Sequence, residues 1–265
     1  MYTYSCLVYL SQPNCRYSHH LIQTRTVEDA FTIFPLFLYE KVTNVNRKQQ
    51  TFMPATSSYP VDEYGRTPNI NSDFIKAVED NTSLKFSTKN ADFDRGVFSP
   101  EILLNYIYAI CSSQNYRSRF GEFLRLDFPR IPVTSDPDLF WRLSDLGRQL
   151  VSLHLLESPQ LTHLITRYPV PGDNLVAKGC PKYVDQQRVY INQAQFFEGV
   201  PPTVWDFHVG GYQVCKKWLK DRRGRQLTFD DLTHYQKVIV ALSETIRLMQ
   251  EIDQAIDAHG GWPIQ

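Results

Sequence analysis

The densest chemical signal in this sequence is Lys216-Lys217-Trp218-Leu219-Lys220-Asp221-Arg222-Arg223-Gly224-Arg225, where six of ten residues are cationic and one is acidic. On a helix starting near Tyr212, Lys216, Lys220 and Arg223 share one face, while Val214 and Trp218, with Leu219 beside them, supply a packing side. Such a face suits phosphate. Duplex DNA presents about one negative charge per 1.7 Å, and cations that neutralise it release counterions. A solvated charge run explains the same residues, and both readings stand at this point. A second cluster, Arg117, Arg119, Arg125 and Arg130, is interleaved with Tyr116, Phe120 and Phe123. Arginine is better suited than lysine to bidentate contacts with phosphate or guanine. Glu122 and Asp127 are equally placed to absorb two of these charges in a structural ion-pair set.

Other chemistry is missing. There is no GxGxxG or GxxxxGK[ST], the two nucleotide-binding fingerprints, and no GxSxG or HExxH. The Asn-Pro-Pro-aromatic tetrad of amino-methyltransferases is also absent, because Val200 precedes Pro201-Pro202. His19-His20 is the one close histidine pair. Neighbours on a strand point to opposite faces, whereas zinc wants three or four convergent ligands. His154 and His163 read as partners of a helix C-terminal dipole. No catalytic residue and no metal site is therefore expected in the chain as given.

The elements that must hold the cations are legible in part. Ser99-Pro100-Glu101 starts a helix with a capping hydroxyl, a proline at the first helical position and an acid at the positive dipole end. Ile102, Leu103, Tyr106, Ile107 and Ile110 form its apolar face. A short helix is expected from 71–78, another from Tyr116 to Leu126, and a longer one from Asp136-Pro137 to Glu157 with Leu139, Phe140, Leu143, Leu146, Leu150 and Leu153 as its stripe. Residues 158–181 read as loop. Tyr183–Asp185 and Arg188–Asn192 read as a small hairpin. Thr228 and Asp231 have capping-box spacing, and Leu232, Tyr235, Ile239, Leu242, Ile246 and Met249 continue as a stripe until Gly260-Gly261. That stripe needs a facing helix, and 139–153 is the expected partner. Upstream, 4–10 and 31–39 have strand character, with Pro35 marking an edge or bulge. Residues 41–72 read as an exposed loop.

The chain has 265 residues, with 28 Lys+Arg against 28 Asp+Glu, 42% hydrophobic residues and 13% aromatics. That composition excludes a disordered polypeptide. The longest apolar run, Phe31 to Tyr39, is about half the length of a membrane span. The N-terminus lacks the charged and apolar regions of a secretory signal. Five scattered cysteines with no CxxC pair fit free thiols in a reducing cytoplasm. The expected fold class is α+β: a predominantly helical C-terminal two-thirds with a small β-hairpin, preceded by a partial β-region. The expected division is 1–70 and 71–265.

Several phrases together resemble a known family. They are Tyr106-Ile107-Tyr108-Ala109, Tyr116-Arg117, and Phe123-Leu124-Arg125-Leu126-Asp127-Phe128-Pro129-Arg130-Ile131-Pro132. Leu146-Gly147-Arg148-Gln149-Leu150, Leu153-His154-Leu155, Val189-Tyr190-Ile191-Asn192 and Phe196-Phe197-Glu198-Gly199-Val200 follow in order. Gly210-Gly211-Tyr212-Gln213-Val214, Lys217-Trp218-Leu219-Lys220-Asp221-Arg222 and Asp230-Asp231 through Val238 complete the series, with Phe34–Tyr39 at its entry. This series resembles the C-terminal specificity region of Type ISP restriction–modification enzymes.

The resemblance implies a module that reads a short duplex DNA sequence. A methyltransferase domain then flips out the target adenine, because its amine is inaccessible within the stack. It implies a methyltransferase and a helicase-type motor as partners, in the same or a separate chain, with S-adenosylmethionine as cofactor of the methyltransferase and none here. Lys216, Lys217, Lys220, Arg222, Arg223, Arg225, Arg117 and Arg119 are the candidate DNA-binding residues. The base-reading residues vary with the target and are not carried over. The methyltransferase motifs are expected upstream of residue 1. A split or truncated gene or a misplaced start codon fits better than a separately encoded subunit, because residues 1–40 begin in mid-strand. The alternative functional reading is a protein-interaction domain docking onto a methyltransferase or motor, or an inactive gene fragment.

Overall fold

The computed structural model describes residues 35–39, 61, 62, 64–88, 94–126, 128–184, 187–209 and 211–264. They form an α+β chain divided into two compact units. One takes the described residues of 35–148 with 252–264, the other Gln149–Glu251. The change of texture near residue 70 falls inside the first unit. The strand expected at 4–10 and the pair His19-His20 lie outside the described residues.

In the first unit, β1 (Phe37–Tyr39) pairs antiparallel with β2 (Arg66–Pro68). The loop reading of 41–72 missed β2, which a side chain creates. Asp62 Oδ1 accepts from the backbone N–H groups of Tyr64 and Arg66, and Gly65 takes a φ of 72°, so the chain turns back along β1. The Arg66 guanidinium then lies 4.1 Å from the Phe37 ring centroid.

Helix α1 (Ser72–Thr82) runs a turn longer than its expected end, capped by Asn71 Oδ1 and stopped by Ser83 in the left-handed region at φ 60°. A short parallel pair, β3 (Lys85–Phe86) and β4 (Val97–Phe98), leads to α2 (Pro100–Ser112). Ser99 Oγ accepts from the Ile102 N–H, as its sequence context predicts. The helix is buried on more than one face, with Leu104, Tyr108 and Ala109 covered as well as the predicted stripe. It therefore serves as the centre of this unit.

The helix expected at 116–126 is two helices, α3 (Gln114–Arg119) and α4 (Gly121–Leu126). The break follows from packing. Tyr116 and Phe120 both turn toward Trp262, with ring centroids 5.4 and 6.0 Å away. Helix α5 (Pro137–His154) is capped by Asp136 and crosses α2 at Gly147. A Cβ there would collide with the backbone carbonyl of Asn105.

The second unit is built on a three-stranded antiparallel meander rather than the expected hairpin: β5 (Lys182–Val184), β6 (Arg188–Tyr190) and β7 (Phe196–Glu198). Behind it come α6 (Pro202–Trp205), the hairpin β8 (His208–Val209) and β9 (Tyr212–Gln213), α7 (Val214–Lys220) and α8 (Phe229–Ala258). Thr228 and Asp231 make the reciprocal box at the start of α8. Asp231 Oδ2 accepts from the Thr228 N–H at 3.0 Å and Thr228 Oγ1 accepts from the Asp231 N–H at 3.1 Å. The facing partner of the α8 stripe differs from the expectation. Tyr235, Ile239 and Leu242 share a buried core with Val189, Phe197, Val204, Cys215 and Leu219 of the meander and the short helices. Helix α5 meets α8 through the His154 ring and the Thr245 hydroxyl at 3.0 Å.

An amide network fixes the loop before β5. The Gln195 side chain is 97% buried (3% exposed). It accepts from the Asn174 N–H at 2.9 Å and from Asn192 Nδ2 at 2.8 Å, and it donates to the Val170 carbonyl and Asn174 Oδ1. Asn174 holds a positive φ of 56°, its carbonyl accepts from the Leu227 N–H, and its Nδ2 donates to the Leu227 carbonyl. Gly172 lies over this amide so closely that a Cβ would sit 2.6 Å from the Gln195 side-chain carbon.

Gly147→Ala gains helix propensity of about 1 kcal/mol but forces α2 and α5 apart. A net destabilisation of about 1–3 kcal/mol is expected in denaturant unfolding, and an unchanged midpoint contradicts the close crossing. Gln195→Leu keeps the volume and removes the bonds. A loss on the order of 3 kcal/mol is expected, and a loss under about 0.5 kcal/mol would show that the network does not hold the loop.

Candidate nucleic-acid interface

The cationic segment is positioned by what lies beneath it. Tyr212 and Gln213 are captured by the β8–β9 hairpin, so the helix starts at Val214 rather than near Tyr212. Gln213 Nε2 donates to the Trp205 carbonyl at 3.1 Å and to Asp206 Oδ1 at 3.0 Å, tying the hairpin to α6. Within α7, Cys215 and Leu219 are fully buried. Trp218 lies 5.0 Å from the Tyr235 ring, and the Tyr235 hydroxyl donates to the Cys215 carbonyl at 3.3 Å. Burial pushes the Cys215 thiol up to about 12, so it is a neutral packing group.

With that side sealed, Lys216 and Lys220 share the exposed face, four residues apart. Neither has a side-chain partner among the described residues. Helix α7 ends at Lys220, so Arg223 reaches this region from the following turn. Its Nε donates to the Cys180 carbonyl while the side chain stays exposed. Arg225 is exposed too, and its carbonyl accepts from the Val176 N–H at 3.0 Å.

Two members of the segment have partners within the chain. The Arg222 guanidinium stacks 3.6 Å from the Trp218 ring centroid, donates to the Trp218 carbonyl at 3.1 Å and faces Asp231 at 3.9 Å. Burial lowers its pKa. The Thr228 N–H, then the Thr228 hydroxyl and the Arg222 and Arg225 charges, hold Asp231 below the usual carboxylate range against its partial burial. Lys217 pairs with Asp221 at 2.7 Å and lies 5.4 Å from the Tyr212 ring.

The second cluster belongs to the first unit and divides in the same way. Arg117 Nε donates to the Cys111 carbonyl at 2.7 Å, and burial lowers its pKa. Arg119 is exposed and lines a shallow depression with Asn115, Ser118, Asp257 and Trp262. The interleaved Tyr116 and Phe120 are packing residues, whereas Phe123 is 71% exposed. Sequence reading missed Asn174 and Gln195, which fix the loop beside Arg223 and Arg225. Asn192 and Gln195 carry the three-residue spacing of a local amide turn, which was the available signal.

The family model of the Type ISP C-terminal specificity domain matches residues 10–251 of this chain. None of the curated proteins matches. Among solved structures, the chain is similar to the ATP-dependent Type ISP restriction-modification enzyme LlaBIII bound to DNA. The identity is 16% and the TM-score 0.51, over 71% of this chain and 12% of that one. A nuclease-deletion mutant of the Type ISP enzyme LlaGI, in complex with a DNA substrate mimic, is 20% identical with a TM-score of 0.48, over 71% and 14%. A DrdV–DNA complex is 19% identical with a TM-score of 0.49, over 72% and 20%. The chain thus spans between 12% and 20% of the length of these proteins. The likeness to LlaBIII is one of fold. Because the family match runs through both compact units and nearly end to end, this chain belongs to the Type ISP C-terminal specificity domain family.

Proposed function

We propose that this chain is a DNA target-recognition module. It grips a duplex through phosphate contacts and presents a short sequence to a neighbouring adenine-N6 methyltransferase domain. The observation that carries this reading is the asymmetry of α7. One side is locked into the core by Cys215, Leu219 and Trp218, while Lys216 and Lys220 face outward with no internal partner among the described residues. LlaBIII, whose fold this chain resembles, is bound to DNA, which agrees with this reading. Methyl transfer from S-adenosylmethionine, and any motor activity, belong to other domains in this proposal, and the protein works in the cytoplasm. No helix among the described residues is long and apolar enough to cross a membrane.

One observation favours docking as a second role. Phe123 and Leu126 on α4 are 71% and 87% exposed, a placement that fits contact with another domain.

Duplex binding by fluorescence anisotropy between about 50 and 200 mM salt tests the main reading, with a steep linear fall of log K against log salt expected. Lys216→Ala with Lys220→Ala should make that slope shallower by about 1.8 and weaken binding uniformly across sequences. Binding that ignores salt, or none at all, contradicts the proposal.

A further inference from the structure

The turn after α7 is zipped to the loop at 174–176. Gly224 N–H donates to the Val176 carbonyl at 2.8 Å, Val176 N–H to the Arg225 carbonyl at 3.0 Å, and Leu227 N–H to the Asn174 carbonyl at 2.9 Å. Leu175 and Gln226 form an antiparallel bridge at the same place. The Arg223 side chain extends the seam to the Cys180 carbonyl. Lys178 and Lys182 stand two residues to either side of Cys180 in sequence, both exposed and without a side-chain partner among the described residues.

The seam concentrates charge. Residues 178–182 and 216–225 together hold eight cations, Lys178 and Lys182 plus the six of 216–225, against one acid, Asp221. The chain as a whole is neutral. A surface that gathers one sign of charge attracts anions. Two cations are answered within the fold, Lys217 by Asp221 and Arg222 by Asp231. Lys178, Lys182, Lys216 and Lys220 are left, with Arg223 and Arg225 at the seam between them.

We infer that Lys178 and Lys182 are phosphate contacts of the same DNA-binding face as Lys216 and Lys220, joined to it by the hydrogen-bonded seam between 174–180 and 223–227. This rests on the DNA-reading function proposed above. The amide network around Gln195 serves the seam by fixing Asn174, from which the loop departs.

The test uses the whole chain and a duplex of fixed sequence. Lys178→Ala with Lys182→Ala should weaken binding at least roughly tenfold near 0.1 M salt and make the salt slope shallower by about 1.8. Lys178→Glu with Lys182→Glu should weaken it further. Unaltered affinity and slope in both double variants, with the wild type binding steeply and Lys216→Ala/Lys220→Ala impaired, overturns the inference and leaves the proposed function intact. A wild type that binds no duplex overturns both.

Discussion

Tyr235 is the point on which the cationic segment depends. Its ring is fully buried, 4.6 Å from Phe197 and 5.0 Å from Trp218, and its hydroxyl reaches the Cys215 carbonyl. Helix α7 has seven residues and no side-chain cap at its N-terminus. A helix that short does not persist on its own propensity, so its stability must come from packing. Tyr235 supplies that packing from α8, and Phe197 passes it on to the meander. The direction of Lys216 and Lys220 follows, because the opposite side of the helix has nowhere else to go.

Within this frame the cations have distinct fates, decided by which groups the fold brings near them. Arg222 has a planar guanidinium that can stack on Trp218 while facing Asp231, a geometry lysine cannot reproduce. Lys217 meets Asp221 one helical turn on. An exposed pair of that kind contributes little to stability, and its main effect is to neutralise a charge. Arg117 is half-buried, with its Nε on the Cys111 carbonyl in the first unit. The remaining lysines have no such outlet.

Much of the helical framework was legible from local rules. Ser99-Pro100 and the Thr228–Asp231 box announce their helices because capping is a contact between near neighbours, and both are realised at the atoms the rules name. What escaped were elements made by distant contacts. The 116–126 helix breaks because Trp262, far along the chain, draws in Tyr116 and Phe120. Strand β2 depends on a turn built by Asp62, and β7 on pairing with β6. The candidate site was half legible. The charge run at 216–225 is conspicuous, but periodicity treats all its cations alike. It does not say that Arg222 is stacked inward, nor that a loop holding Lys178 and Lys182 lies beside the turn. The family resemblance read from the phrases between 30 and 255 agrees with the family match, since such phrases preserve the packing residues that define the fold.

In the proposed function the outward face of α7 meets DNA. Lysine acetylation read by mass spectrometry, with and without saturating duplex, tests it directly, using exposed Lys76 on α1 as reference. Lys216 and Lys220 should become protected when DNA is bound while Lys76 stays reactive. Equal modification of Lys216 and Lys220 in the free and saturated protein would contradict the account.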